Sequence, residues 1–200
     1  IRMKMNSETL SVLKNFSAIN QNLMIKEGNT LTTMSAMKNI VAKAEVSESF
    51  EREVAIYDLN EFLASLSLFK SPVLEFDESF VTIKEENTTT SLKYFYSDPS
   101  VVTTPSKTIK MPSKEVTFSL KGEDLTKLKR AAGVIGAPDL VLERKDTGSF
   151  LTVKDKKNDT ANTFSLDVTT TSEGNFNCFF TVENLKVMDG NYDVEISSKN

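Results

Sequence analysis

Apolar residues recur at helical spacing near the start of each half of the chain. Leu10, Val12, Leu13, Phe16 and Ile19 form one stripe, and Leu125, Leu128, Ala132 and Ile135 form another within a helix expected from Glu123 to Ile135. The two helices share a signature. Glu8-Thr9-Leu10-Ser11-Val12-Leu13-Lys14 and Glu123-Asp124-Leu125-Thr126-Lys127-Leu128-Lys129 both read E-x-L-x-x-L-K, and Leu10 to Leu125 is an offset of 115 residues. Gly136 and Pro138 stop the second helix, one by permitting a left-handed cap and the other by lacking an amide proton.

The segments after these two helices repeat as well. Alternating strand patterns lead to an apolar entry strand, Phe50 to Ile56 in the first half and Phe176-Asn177-Cys178-Phe179-Phe180 in the second, and then to a short second helix. Asp58-Leu59-Asn60-Glu61 has the spacing of a capping box, Asp58 being the N-cap of a helix that buries Phe62, Leu63 and Leu66. The corresponding second-half helix is expected to begin near Glu183. Three strand candidates come next in the first half (Val73 to Phe76, Phe80 to Lys84, Ser91 to Tyr96), against one in the second, Tyr192 to Ile196. By that internal comparison the second half is expected to lack two final strands.

Between the halves, Pro99, Pro105 and Pro112 fall in a stretch otherwise rich in Ser, Thr and Val, which predicts an extended connector. The expected division is a first domain over 3–97, a connector over 98–114 and a second domain over 115–200.

Composition narrows the chemistry. The chain has no histidine, the commonest general acid or base near neutral pH and the commonest metal ligand, which makes whole reaction classes unattractive. One cysteine, Cys178, excludes an intrachain disulfide and a thiolate cluster, and it alternates with apolar neighbours as a buried, inert thiol would. The carboxylate pairs Asp77/Glu78, Glu85/Glu86 and Asp139/Glu143 read as solvated surface rather than a hydrolytic dyad. No cofactor or nucleotide site is expected, there being no Gly-x-x-x-x-Gly-Lys. No apolar run of about 18 residues exists to span a bilayer, and a reducing, cytoplasmic compartment is expected.

A net charge of −4 argues against tight coating of nucleic acid but not against a locally basic face. The outer faces of the two repeated helices are candidates for such a surface, the plain alternative being ordinary solvated helix faces. Lys14 stands among the small residues Ser7, Ser11 and Ala18, while Lys127 and Arg130 lie opposite the apolar stripe of the second helix, with Lys129 flanking it. An alternative reading, a single-stranded nucleic-acid or RNA-binding module, is prompted by Gly133-Val134-Ile135-Gly136 and by Tyr94, Phe95 and Tyr96 as stacking candidates. Helix capping explains the glycines better.

Several segments resemble the sliding clamps of T-even-type bacteriophages. Met3-Lys4-Met5 through Lys14-Asn15-Phe16-Ser17-Ala18-Ile19-Asn20 is similar to the family's start, with Ile1 and Arg2 expected to lie upstream of it. Val54-Ala55-Ile56-Tyr57-Asp58-Leu59-Asn60-Glu61-Phe62-Leu63 followed by Leu66-Ser67-Leu68 is the most specific match, supported by Lys121 to Arg130 and Gly190-Asn191-Tyr192. The resemblance implies an α+β fold of two similar clamp domains, each with two helices packed on a curved, mostly antiparallel sheet, the second C-terminally truncated. It further implies a ring, a homotrimer at full length, around double-stranded DNA without sequence preference, with Lys14, Lys127, Lys129 and Arg130 facing the duplex. The implied partners are the phage DNA polymerase and an ATP-dependent clamp loader, in the cytoplasm of the infected bacterial host. Val101, Val102, Ile109 and Met111 either line a pocket for a partner peptide or tack the connector to the domains.

Overall fold

The computed structural model describes residues 2–171 and 174–199. The chain divides into two compact units, Ile1–Thr108 and Ile109–Asn200.

Unit 1 opens with β1 (Arg2–Met3) and α1 (Ser7–Ile19). Asn6 caps α1, its side-chain oxygen accepting the Thr9 amide at 2.8 Å. Then come β2 (Leu23–Ile25), β3 (Gly28–Met34), β4 (Val41–Phe50) and β5 (Val54–Ile56), with β2 paired to β5 and β3 to β4, both antiparallel. Helix α2 (Leu59–Ser67) follows, and the Asp58 carboxylate accepts the Glu61 amide at 3.1 Å as the capping box predicts. Strands β6 (Pro72–Phe76), β7 (Phe80–Glu85) and β8 (Ser91–Phe95) complete an antiparallel sheet in the order β1-β6-β7-β8. The core lies where the inner faces of α1 and α2 meet the sheets: Leu13, Phe16, Leu31, Ile56, Phe62, Leu74 and Ile83 are all buried in one cluster. Burying side chains of this size contributes roughly 1.5–3 kcal/mol each relative to leaving them exposed.

Unit 2 begins with β9 (Val116–Leu120) and α3 (Gly122–Ile135). Strands β10 (Asp139–Lys145), β11 (Gly148–Lys154), β12 (Phe164–Val168) and β13 (Phe176–Thr181) form an antiparallel sheet in the order β12-β11-β10-β13. β14 (Tyr192–Ile196) pairs with β9, Val194 opposite Phe118. Leu125, Leu128, Leu142, Leu151 and Val153 anchor this unit's core. The repeat is visible in order and pairing: a strand leads into a helix, and a later strand returns to pair with the first, β6 on β1 and β14 on β9.

One expectation fails. The second unit has no second α-helix among the described residues; a single 3₁₀ turn, Val182–Asn184, stands where the repeat predicts one. The local chemistry explains this. Thr181 at the cap position makes no side-chain hydrogen bond, unlike Asp58, and the chain must turn at Gly190, with φ +145°, before β14 starts at Tyr192. Residues 182–189 lie between β13 and that glycine, against residues 57–71 between β5 and β6, so the chain has less room for a helix here.

Candidate nucleic-acid interface

The outer face of α1 carries Lys14, exposed, with Ser7, Ser11 and Ala18 also exposed. Two of the helix's hydroxyls are turned onto the helix itself: Ser11 donates to the Ser7 carbonyl at 3.0 Å, and Ser17 to the Lys14 carbonyl at 2.7 Å. The inner face is fixed by Val12, Leu13, Phe16 and Ile19, all buried, so the direction in which Lys14 points follows from the apolar stripe.

On α3, Lys127 and Arg130 are exposed on the face opposite Leu125, Leu128 and Ala132. Lys129 is half-buried, and its ammonium donates to the Val187 carbonyl at 3.2 Å. It is thus spent partly on tying α3 to the segment before β14, a role its flanking position on the helix could not reveal. Glu123 and Asp124 occupy the first turn, where acidic groups complement the helix dipole. The Gly122 amide, one of the helix's orphan donors, is taken by the Asn191 side chain at 2.8 Å.

The connector residues fall on both sides of the unit boundary. Val101 lies in the 3₁₀ turn Pro99–Val101 and is 53% exposed, whereas Val102 is only 7% exposed, packed with Met24 and Ala55. Hydrogen bonds from the Ser97 amide to the Ala55 carbonyl (2.9 Å) and from the Thr103 amide to Asn22 (3.3 Å) hold this stretch on unit 1. Ile109 and Met111 belong to unit 2 and are exposed, at 68% and 44%.

Several of the other candidate carboxylates have structural partners. Glu85 accepts the Lys70 and Ser71 amides at 2.7 and 2.8 Å, Glu86 pairs with Lys4 at 2.7 Å, and Asp139 accepts the Lys156 amide at 3.0 Å. Burial, helped by the charge of Glu115, pushes the Cys178 thiol's pKa up, the wrong direction for a nucleophile. Among the described residues no group of three metal-ligating side chains gathers, and no helix is long and apolar enough to cross a membrane. Gly136 closes α3 in the left-handed region at φ +66°, with the Ala137 amide returning to the Ala132 carbonyl at 2.9 Å, so Gly136 is a helix stop and Gly133 lies within the helix.

Nor do the aromatics form a stacking platform. Tyr94 turns inward, edge-on to Phe62 at 5.3 Å, and its hydroxyl donates to the Asp58 carbonyl at 3.3 Å; Tyr96 donates to the Asp77 carbonyl at 3.0 Å. Burial pushes both phenols up to about 12. Only Phe95 of the three is exposed; it lies beside Phe80, whose ring sits under the Lys93 ammonium at 4.3 Å.

Comparison with known proteins agrees with the arrangement. Residues 4–104 match the family described as DNA polymerase processivity factor, and residues 117–200 match the one described as gp45 sliding clamp, C terminal. The sliding clamp of Vibrio phage KVP40 is 33% identical, over 97% of this chain and 90% of that protein. The sliding clamps of Escherichia phage RB69 and Enterobacteria phage T4 are each 30% identical, over 86% and 88% of their own lengths. A PCNA from Thermococcus kodakaraensis superposes with a TM-score of 0.69 at 17% identity, covering 97% of this chain and 89% of that one. The proliferating cellular nuclear antigen of Entamoeba histolytica gives 0.67 at 14%, covering 98% and 88%.

The fold is therefore that of a sliding clamp. By sequence the chain belongs to the sliding-clamp family of DNA polymerase processivity factors, with T-even-type phage clamps among its relatives.

Proposed function

We propose that this protein encircles duplex DNA and tethers a replicative DNA polymerase to it, acting by topology rather than by catalysis. The observation that carries this reading is the matched pair of smooth, basic helix faces, Lys14 on α1 and Lys127 with Arg130 on α3, in a chain whose net charge is otherwise −4. A ring that must travel needs few phosphate contacts, weak and without base readout. Three exposed cations, Lys14 among small residues on α1 and Lys127 with Arg130 on α3, meet that need; Lys129 adds charge to α3 while held to Val187.

In this reading 3–97 and 115–200 are the clamp domains and 98–114 the connector between them. The ring is a homotrimer, opened on DNA by an ATP-dependent clamp loader in the cytoplasm of an infected bacterium. Val101, Ile109 and Met111 offer apolar surface to a polymerase peptide, and Val102 holds the start of the connector on unit 1.

Retention on nicked circular duplex against the same DNA linearised, with and without a loader, tests the proposal. A clamp stays on the circle and runs off the linear form. Equal retention on both would overturn it, and turnover of the DNA itself would overturn the noncatalytic part.

A further inference from the structure

The N-terminus of α1 is held by a residue that lies far away in sequence. Glu48, on β4, is 8% exposed, and its carboxylate accepts the Asn6 amide at 2.7 Å and the Thr9 hydroxyl in a short hydrogen bond. Asn6 is the N-cap of α1 and Thr9 its third residue. In an ordinary capping box the third residue is Glu or Gln, whose own side chain reaches back to the N-cap amide. Here Thr9 is too short for that, and Glu48 supplies the missing carboxylate from the neighbouring strand. The Asn6 side chain completes the arrangement, its oxygen accepting the Thr9 amide at 2.8 Å and its nitrogen donating to Ser47 at 2.7 Å.

We propose that Glu48 is a positioning residue for DNA contact, completing the cap of α1 across the fold and so setting the axial seat and rotation with which that helix presents Lys14. The inference rests on the reading that α1 faces duplex DNA. Lys14 lies on the second turn from this anchor, within the reach of a rigid helix. The corresponding helix α3 is held differently, by the neutral Asn191 side chain on the Gly122 amide. An ionised, buried acceptor makes stronger hydrogen bonds than a neutral one and leaves a larger deficit when broken.

Burial alone would raise the Glu48 pKa, but the hydrogen bonds from Thr9 and Asn6 outweigh it and hold the carboxyl below its usual range. Among the other ionisable groups on the elements around it, Lys4 is paired with Glu86, and Glu8, Lys14, Lys43, Glu45 and Glu61 are exposed. The sign of the pH effect follows from a depressed folded pKa. The cap's contribution is present in full above the unfolded pKa of glutamate and is lost as pH falls through the lower folded value.

The test compares Glu48→Gln, Thr9→Val and Thr9→Ser in this chain. Glu48→Gln and Thr9→Val are expected to speed amide exchange at Asn6 and Thr9 by about tenfold, while Thr9→Ser, which keeps the hydroxyl, restores wild-type protection. The wild-type protection is expected to fall at acid pH, and that of Glu48→Gln to be flat over the same window. On duplex DNA, Lys14→Ala should reduce the salt slope of binding by about one, Glu48→Gln should remove part of the same increment, and the double variant should lose no more than Lys14→Ala alone. Faster exchange with an unchanged salt slope would overturn the positioning role and leave a cap only. If Lys14→Ala itself changes nothing on DNA, the DNA-facing reading fails, and the exchange data then report separately on whether Glu48 caps the helix.

Discussion

The two units use one plan to different extents, and the difference shows which parts of the plan are local. In unit 1 the chain after β5 enters a capped helix, and β6 is flanked by β1 and β7. In unit 2 the chain after β13 enters an uncapped 3₁₀ turn, and β14 has β9 as its one strand neighbour among the described residues. The first helix and its strand partner survive in both, because each is specified by an apolar stripe that its own sheet covers. The second helix depends on a cap and on enough chain to continue, and it appears only where Asp58 supplies the cap and the chain runs on to Ser67.

The largest expected effect lies in the core that α2 closes. Phe62→Ala should cost about 3–5 kcal/mol, since the ring is fully buried and meets Tyr94 edge-on. A shift in the urea midpoint measures it, and a cost below about 1 kcal/mol would break the claim that α2 anchors unit 1. Next comes the sheet edge. Amides of β14 that face away from β9 should exchange at least about tenfold faster than those of Leu74 and Glu75 on β6, which have strand partners on both sides. Equal protection would show that something covers β14 as β7 covers β6.

Capping gives a smaller, sharper contrast. Asp58→Ala is expected to cost about 1 kcal/mol, while Thr181→Ala, at the equivalent turn, should change stability by less than about 0.5 kcal/mol. If both cost the same, the explanation offered for the missing second helix is wrong. The least effect on folding belongs to Lys127→Ala with Arg130→Ala, which should leave the melting midpoint nearly unchanged yet lower the salt slope of duplex binding by about two. A large loss of stability would mean that these side chains serve the core rather than DNA.

Much of the fold is legible in the sequence because its signals are local. The stripes of α1 and α3 and the cap at Asp58 are properties of neighbouring residues. The α+β class with two similar halves follows from their repetition. The second helix of unit 2 is overpredicted for the same reason: the repeat suggests it, although the segment lacks a cap and ends at a glycine. Contacts between residues distant in sequence leave no trace. The pairing of Lys129 with the Val187 carbonyl, the burial of Val102 against Met24 and Ala55, and the hold of Glu48 on Asn6 and Thr9 all depend on which strands come together. Glu48 in particular reads as one more polar position on an alternating strand, though Val46 and Phe50 on the same face are buried.

The inward-turned hydroxyls of α1 bear on friction. A phosphate presents only acceptor oxygens, so a serine can hold it only by offering its proton. Ser11 and Ser17 have already given theirs to the carbonyls of Ser7 and Lys14, and their remaining surface toward a passing strand is lone pairs. On the DNA-facing reading, Ser11 and Ser17 therefore give the helix beside Lys14 a surface that is polar enough to stay wet yet offers a phosphate no hydroxyl proton at those two positions. A clamp lined this way would glide on a film of water, slowed mainly by the long, mobile arm of Lys14.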